Sequence, residues 1–560
     1  MGNQQKRRAI ISVYKKDGIG VFAKKLQDLG FEIVSTGGTA KLLEQQGIAV
    51  TEVASLTGFP ECLGGRVKTL HPLIHAGILA RNTPEDQKTL EDLKMTPIDL
   101  VCVNLYPFEE TLKTPGVSVA DLVEKIDIGG PTMLRAAAKN FSRVYVLTDP
   151  DDYDRFFEVY EREDGKKTGA DSPMSQAQEE ALAFRRYLAG KVFHLCAGYD
   201  SLISSFFAAA NQVETQNVNE AVPRIKEQMI AEVFDSNVFA GTDRPKRINL
   251  SLGLKEIPRY GENPIQAAAV YESLLPNPLS LLAADQLNGI ALSYNNLADA
   301  DSAISSLYDF GQEKPTVVVL KHATPCGIAR ADRIEDAFAG ARDSDPVSIY
   351  GGIVAQNRPV TLAEAELLKP IFLEIIIAPA YEPDALALLK EKKKLRILQL
   401  PALGTFEGTL AHPVMKQIIG GLLVQEQDSF THDGFEVASK AQPDPADKAD
   451  YLFAMKAVKQ IKSNAILLAK NEATLGIGTG QPNRVTSCKL AIMMAGEKAK
   501  GSILASDAFL PFDDTARLAL EAGVKGIIQP GGSIRDEDSL KFVDDHGMVM
   551  IYTGQRHFKH

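Results

Sequence analysis

The sequence predicts an α/β protein whose first domain is a doubly wound parallel sheet. Two observations carry this. Short apolar runs alternate with segments of helical period between Ala9 and Leu147, the pattern of successive βαβ units. The stretch Ser35-Thr36-Gly37-Gly38-Thr39 falls between one such run and the next helix, at the strand end where open parallel sheets take their ligands. A third observation sets the scale. The 560 residues exceed one domain of about 100–200 residues, so further α/β units follow the first.

The elements follow in order. Ala9–Val13 is the first strand. Ile19, Phe22, Ala23, Leu26 and Leu29 recur at helical spacing, and Gly30 ends that helix. Phe31–Ser35 is a second strand, followed by a helix from Ala40 to about Gln46. Ile48–Val53, Leu100–Leu105 and Val144–Leu147 complete the set of strands. The polar stretch 161–179 reads as an exposed loop, and Ala181–Phe207 as a helix. Residues 211–248 are polar with weak periodicity, which places the main boundary near residue 200. The expected domains are 1–200, with a core over about 1–150, and 201–560, split internally near 385–450.

The second half contains an internal echo. Val317–Leu320 leads into Lys321-His322-Ala323-Thr324-Pro325-Cys326-Gly327, and Ile466–Ala469 leads into Lys470-Asn471-Glu472-Ala473-Thr474-Leu475-Gly476. Val347–Gly352 follows the first copy and Ile503–Phe509 the second. Two related subdomains would account for the echo; chance likeness of two short copies is the alternative.

Composition narrows the function. Sixty-one basic and 72 acidic side chains give a net charge of −11, which argues against bulk binding to nucleic acid or an anionic membrane. It leaves room for a local cationic pocket. Five scattered cysteines, with no CxxC pair, fit neither a disulfide framework nor a structural zinc site. The apolar run before Tyr14 is too short for a signal peptide, Lys6 stands where a myristoylation motif needs Ser or Thr, and no apolar run approaches membrane-spanning length. The expectation is a soluble cytoplasmic protein.

Several segments could carry chemistry. The glycines and hydroxyls of residues 35–39 could hold a phosphate on free N–H groups, with Lys16 on the same sheet edge; a plain βα turn is the alternative. Gly64-Gly65-Arg66-Val67-Lys68-Thr69-Leu70-His71 packs two glycines, two cations and a histidine into one loop. Asn104-Leu105-Tyr106 ends a strand. Asp127-Ile128-Gly129-Gly130 leads into a helix on which Arg135 and Lys139 share a face.

At this point the residues resemble a family. SV-x-x-K, STGGTAK, TGFPE, GGRVKTLHP, HAGILARN, NLYPF, IDIGG and RAAAKN, in this order, are similar to the amino-terminal half of the bifunctional purine biosynthesis family. RYGENP, KHATPCG, GGIVAQNRPV, GGLLVQ, KSNAI, GIGTGQPNRV, SDAFLPF and TGQRHFKH resemble its other half. The likeness spans the chain except for insertions near 161–180 and 211–248. It implies a methylglyoxal-synthase-like first domain and a transformylase half of two cytidine-deaminase-like subdomains. It implies phosphoribosylaminoimidazolecarboxamide (AICAR) formyltransferase and inosine monophosphate (IMP) cyclohydrolase on one chain, with 10-formyltetrahydrofolate as co-substrate, no metal in the chemistry, and a homodimer.

The resemblance also assigns residues. For cyclisation of the formylated nucleotide (FAICAR) it points to Lys68, Tyr106, Asp127 and Lys139. Ser12, Lys16, Ser35, Thr36, Gly37, Gly38, Thr39, Arg66, Thr69 and Asn104 would hold the substrate. For formyl transfer it points to Lys321 and His322 assisted by Asn464. Arg259, Tyr260, Gly351, Glu374, Arg484, Phe509 and Arg556 would meet the nucleotide, and Val485, Pro511 and Phe512 the folate. The chemistry suits these types: a delocalised ring amine needs a base as it attacks, and a neutral imidazole can take that proton. One departure stands out. Ile265 follows the Pro of RYGENP, where the family usually has His near the Lys-His pair, and would make that pocket more apolar. A zinc deaminase is excluded by Ala329, which removes the second cysteine of a PCxxC motif. A binding-only nucleotide sensor would have no need of the set Lys68, Tyr106, Asp127 and Lys139.

Overall fold

A computed structural model describes residues 7–164, 174–212, 222, 225, 252–273, 277–407, 414–428 and 436–560. It contains two compact units. Among the described residues the first ends with Ile225 and the second begins at Leu252.

The first unit runs β1 (Arg7–Ser12), α1 (Ile19–Asp28), β2 (Phe31–Ser35), α2 (Gly37–Gln45), β3 (Val50–Glu52), α3 (Val53–Thr57), α4 (Pro72–Leu79), α5 (Pro84–Asp92), β4 (Leu100–Val103), α6 (Phe108–Lys113), α7 (Val119–Glu124), α8 (Gly129–Lys139), β5 (Tyr145–Leu147), α9 (Tyr153–Asp164) and α10 (Gln176–Gln212). Its five strands are parallel in the order β3-β2-β1-β4-β5. The chain reverses direction across the sheet between β1 and β4, so a ligand crevice is expected beyond their carboxyl ends. Nearly continuous apolar strands such as Ala9-Ile10-Ile11 and Leu100–Val103 are buried on both faces, as covered parallel strands require.

Helix α10 revises three expectations. Residue 200 lies inside it, so a cut there would divide a helix whose Phe206 and Ala209 are also buried. The stretch expected as a loop over 161–179 is helical at both described ends. And α10 is long and apolar enough, by length and composition, to cross a membrane over Gln176–Ala210. Its apolar content has a packing reason: Ala181, Phe184, Leu188, Val192 and Cys196 join the core of the first sheet. Tyr187, Phe193 and Phe207 remain exposed. The insertion at 211–248 falls almost wholly outside the described residues.

The second unit holds β6 (Leu252–Glu256), β7 (Val270–Ser273), β8 (Asp285–Asn288), α11 (Tyr294–Tyr308), β9 (Thr316–Lys321), β10 (Thr324–Arg330), α12 (Ile334–Ser344), β11 (Gly352–Gln356), α13 (Leu362–Leu368), β12 (Leu373–Ala378), α14 (Pro383–Lys390), β13 (Arg396–Gln399), β14 (Val414–Ile418), β15 (Gly421–Gln425), β16 (Glu436–Val437), α15 (Lys448–Val458), β17 (Ile466–Lys470), β18 (Ala473–Gly478), α16 (Arg484–Ala495), β19 (Ile503–Ser506), α17 (Asp514–Glu521), β20 (Gly526–Gln529), α18 (Asp536–Asp545) and β21 (Val549–Tyr552). One mixed sheet of 12 strands runs β16-β21-β20-β19-β17-β18-β10-β9-β11-β12-β13-β8.

That order reads the same from either end. Each half is an edge strand, a helix, an antiparallel hairpin, and three further strands joined by helices. The halves meet where β10 pairs with β18 at Ala329 and Ala473. The echo is therefore a structural repeat. Both hairpin turns use left-handed non-glycine residues, His322 and Ala323 in one (φ 50° and 54°), Asn471 and Glu472 in the other (φ 54° and 52°). An aspartate from the preceding helix region binds each turn. Ala323 N–H donates to Asp299 (2.7 Å); the N–H groups of Asn471 and Glu472 donate to Asp450 (2.9 and 2.6 Å). The downstream match is shifted from expectation: β19 corresponds to β11, not to Val347–Gly352. Apolar cores lie on both faces of the sheet, one shared by α11 and α15, the others under α12–α14 and α16–α18.

Candidate functional site

In the first unit a cleft of about 810 Å³ opens where β1, β2 and β4 end. Ser12 closes β1, Thr36 links β2 to α2, whose first turn is Gly37-Gly38-Thr39, and Asn104 follows β4. Asn104 bridges the strand ends, accepting from Tyr14 N–H (2.5 Å) and donating to Lys15 C=O (3.1 Å). Lys16 donates to Thr39 Oγ1 (2.7 Å) and to Val13 C=O. Burial holds its ammonium below the usual lysine range. A cation, hydroxyls and the amino end of α2 thus converge, the chemistry of a phosphate cradle.

The opposite wall carries Gly64, Gly65, Arg66, Lys68 and Thr69. Gly65 has φ 89°, and a Cβ there would meet Lys68 Cε at 2.8 Å, so the loop can turn this tightly over the lysine only with glycine. Lys68 Nζ lies 3.2 Å from Glu61, whose other oxygen accepts from Thr36 (2.6 Å). The Thr36 hydroxyl, with Lys68 beside it, holds Glu61 below the usual carboxylate range. Arg66 lines the cleft paired with Glu124.

Tyr106 and Asp127 complete the lining. Asp127 accepts from Gly130 N–H (2.8 Å) and Tyr106 N–H (3.4 Å). Burial nevertheless pushes its carboxyl above the ordinary range. Two expected residues stand elsewhere. Ser35 is fully buried and donates to Ile11 C=O (2.6 Å); it braces two strands. Lys139 is exposed at the far end of α8, about 15 Å along the axis from Gly129 at 1.5 Å per residue, and is not among the cleft's lining residues. Two unexpected residues join: Glu61, and Tyr199 of α10, whose hydroxyl accepts from Asp127 N–H (2.7 Å). The TGFPE motif contained the first; only tertiary contact reveals the second.

In the second unit Lys321 and His322 sit at the β9–β10 turn. Lys321 donates to Tyr350 C=O (2.5 Å), and its Nζ lies 3.0 Å from where a Cβ on Gly351 (φ 72°) would stand. His322 is exposed. Asn464 lies two residues before the start of β17 and donates to Gln481 C=O (2.9 Å) in a recess shared with Ser463, Pro482, Phe558 and His560. The strand directions put Asn464 and the His322 turn on one edge of the sheet, three strand spacings or about 14 Å apart. Arg484 is held by Ser506 and Asp507 (3.0 and 2.7 Å) near the exposed Phe509. Arg556 lies over Phe558, and exposed Arg259 beside Tyr260. Glu374 accepts from Arg396 (2.5 Å). Val485 is the second residue of α16, Pro511 is half-buried, and Phe512 is exposed under Arg535. Ile265 stands at the tip of the Gly261–Gln266 turn and is 96% exposed. The expected apolar wall for His322 does not form in this chain, because the backbone turn aims residue 265 outward.

Comparison with known proteins decides the family. The family described as AICARFT/IMPCHase bienzyme matches residues 137–494, and the MGS-like domain matches residues 18–132. The chain belongs to the AICARFT/IMPCHase bienzyme family. A protein of Streptococcus uberis called bifunctional purine biosynthesis protein PurH is 46% identical over 99% of this chain and 100% of its own. Proteins of the same name from Limosilactobacillus reuteri and Bacillus cereus are each 45% identical over the same shares. The bienzyme carries AICAR formyltransferase and IMP cyclohydrolase activities, acts on small molecules, and uses a formyl-folate as co-substrate.

Proposed function

We propose that the first unit cyclises FAICAR in the 810 Å³ cleft and that the second transfers formyl from 10-formyltetrahydrofolate to the 5-amino group of AICAR, the closing steps of de novo purine synthesis. The observation that carries the first assignment is the convergence of Lys68, Tyr106 and Asp127 on a cleft whose other end is the Lys16 and Thr36–Thr39 cradle. The nucleotide phosphate occupies that cradle. The carboxamide nitrogen attacks the formyl carbon of the same molecule, so tethering supplies much of the rate. Asp127 takes a proton from the attacking carboxamide nitrogen, Lys68 faces the formyl oxygen, and that oxygen leaves as water carrying this proton and the one lost from the formamido nitrogen, while Tyr106 orders the folded substrate.

In the second unit His322 takes the amine proton and Lys321 steadies charge on the folate side, with Asn464 assisting from the same edge. Arg259, Tyr260, Gly351, Glu374, Arg484, Phe509 and Arg556 hold the nucleotide, and Val485, Pro511 and Phe512 the folate. The bienzyme works as a cytoplasmic homodimer, without nucleic acid or membrane partners. Supporting the dimer, the two-stranded ribbons β6–β7 and β14–β15 expose Leu254, Ile257, Tyr271, Ile419, Leu422 and Leu423, more apolar edge than a lone ribbon tolerates in water. The test is Lys68→Ala. Cyclisation should stop and FAICAR accumulate while formyl transfer persists. Equal loss of both activities in a folded protein would refute the division of labour, and a fully active monomer in sedimentation would refute the dimer.

A further inference from the structure

The segment that carries Asp127 is pinned from outside its own neighbourhood. Residues 125–128 link α7 to α8 at the cleft wall. Within that link the Tyr199 hydroxyl accepts from Asp127 N–H (2.7 Å) and donates to Lys125 C=O (3.1 Å). One oxygen thereby satisfies a donor and an acceptor two residues apart, which fixes the backbone on which the carboxylate is mounted. The same ring packs edge-on against Phe108, 6.4 Å between centroids at 73°. Phe108 is fully buried, opens α6, and donates its N–H to Tyr106 C=O (2.9 Å). A single side chain therefore braces both the segment that presents Asp127 and the one that presents Tyr106. It comes from α10, 72 residues beyond Asp127 and outside the stretch matched by the MGS-like domain.

We infer that Tyr199 is a positioning residue of the cyclohydrolase, setting the Asp127 carboxylate against the substrate through the backbone on either side of it. The inference rests on the reading of Asp127 as the proton-transfer group. Buried N–H and C=O groups bind something. Without the hydroxyl, Asp127 N–H and Lys125 C=O turn toward water, and the link moves with them. A displacement near 1 Å costs up to about 10²-fold in rate when reacting groups must meet in one geometry.

The test uses Tyr199→Phe in the full chain, which keeps the ring and removes both hydrogen bonds. The expected result is a fall in cyclohydrolase kcat of about 10- to 100-fold, with KM for FAICAR within about twofold and formyl transfer unchanged. A role in packing alone would lower the melting temperature and leave kcat per folded molecule intact, which would overturn the inference. Phe206→Leu is the second variant. Phe206 packs on the same Phe108 ring (5.7 Å) and makes no contact through a hydroxyl. It should lower stability and spare kcat; a loss of kcat matching that of Tyr199→Phe would also overturn the inference. Asp127→Asn separates the two readings. If it retains cyclisation, the assignment of Asp127 fails. If it loses cyclisation while Tyr199→Phe does not, the inference alone fails.

Discussion

The turn Lys321-His322-Ala323 and its counterpart Lys470-Asn471-Glu472 have the same backbone and opposite surroundings. Both hold two left-handed residues and an aspartate clamp. In both the lysine donates to a carbonyl just before a left-handed glycine, Tyr350 before Gly351 and Lys500 before Gly501. Glu472, however, is buried and ion-paired to Arg330 (3.3 Å) and Lys314. By the repeat register Lys314 and Arg330 correspond to Ser463 and Thr479, and Glu472 to Ala323. At one edge of the sheet charges seal the join between the repeats. At the other, Ser463 borders the recess beside Asn464, and an exposed histidine stands at the turn next to Ala323. The repeat shares its architecture; three side-chain choices decide which edge is free to meet a ligand.

The sharpest way to break this comparison is a pair of variants. His322→Ala should lower formyl transfer by about 10²–10⁴-fold and leave cyclisation near wild type, while Asn471→Ala should leave both intact. Equal effects in a spectrophotometric assay of each step would mean the two turns are not functionally distinct. Glu472→Ala should act on stability instead. Removing one partner of a buried ion cluster costs about 3–5 kcal/mol, read as a lower urea midpoint of the second unit's transition. Activity should be retained below that midpoint.

A third difference concerns pH. Glu364 on α13 is buried, accepts from Gln356 (2.9 Å), and is pushed by desolvation up to about 8; the matching third position of α17 is Ala516. The folded chain keeps a proton on Glu364 that the unfolded chain releases above about 4.3. Stability contributed by the neutral acid is therefore present at low pH and lost as pH rises toward 8. Glu364→Gln should flatten that slope, by up to a few kcal/mol, in urea titrations at pH 5 and pH 8. An unchanged slope would show that Glu364 ionises freely. The smallest effect belongs to the glycines. Gly351→Ala and Gly501→Ala both force alanine to a positive φ, at about 1 kcal/mol or more. Only the first crowds Lys321, so only it should also raise KM for AICAR.

Much of the fold was legible in residue order. Ala9–Val13, Phe31–Ser35 and Val144–Leu147 predicted strands within a few residues of β1, β2 and β5, because buried parallel strands are written as unbroken apolar runs. The echo between residues 317–327 and 466–476 announced the repeat. The far position of Lys139 was also within reach, since ten residues of helix separate it from Gly129. The exposure of Ile265 was not, because it depends on how Gly261 and Gln266 close a turn.

By itself the sequence determined the family, both activities and the strand-end loops that line the first cleft, since each of these is carried by local motifs and short-range period. Only the tertiary structure decided which motif residues share a site. Ser35 went to bracing strands, Glu61 came to lie against Lys68, Tyr199 arrived 72 residues late to hold Asp127, and Asn464 reached the edge of His322 through the pairing of β10 with β18. Those placements arise from which apolar faces pack and which strands pair across long separations, and that information is shared among distant residues rather than written in any one segment.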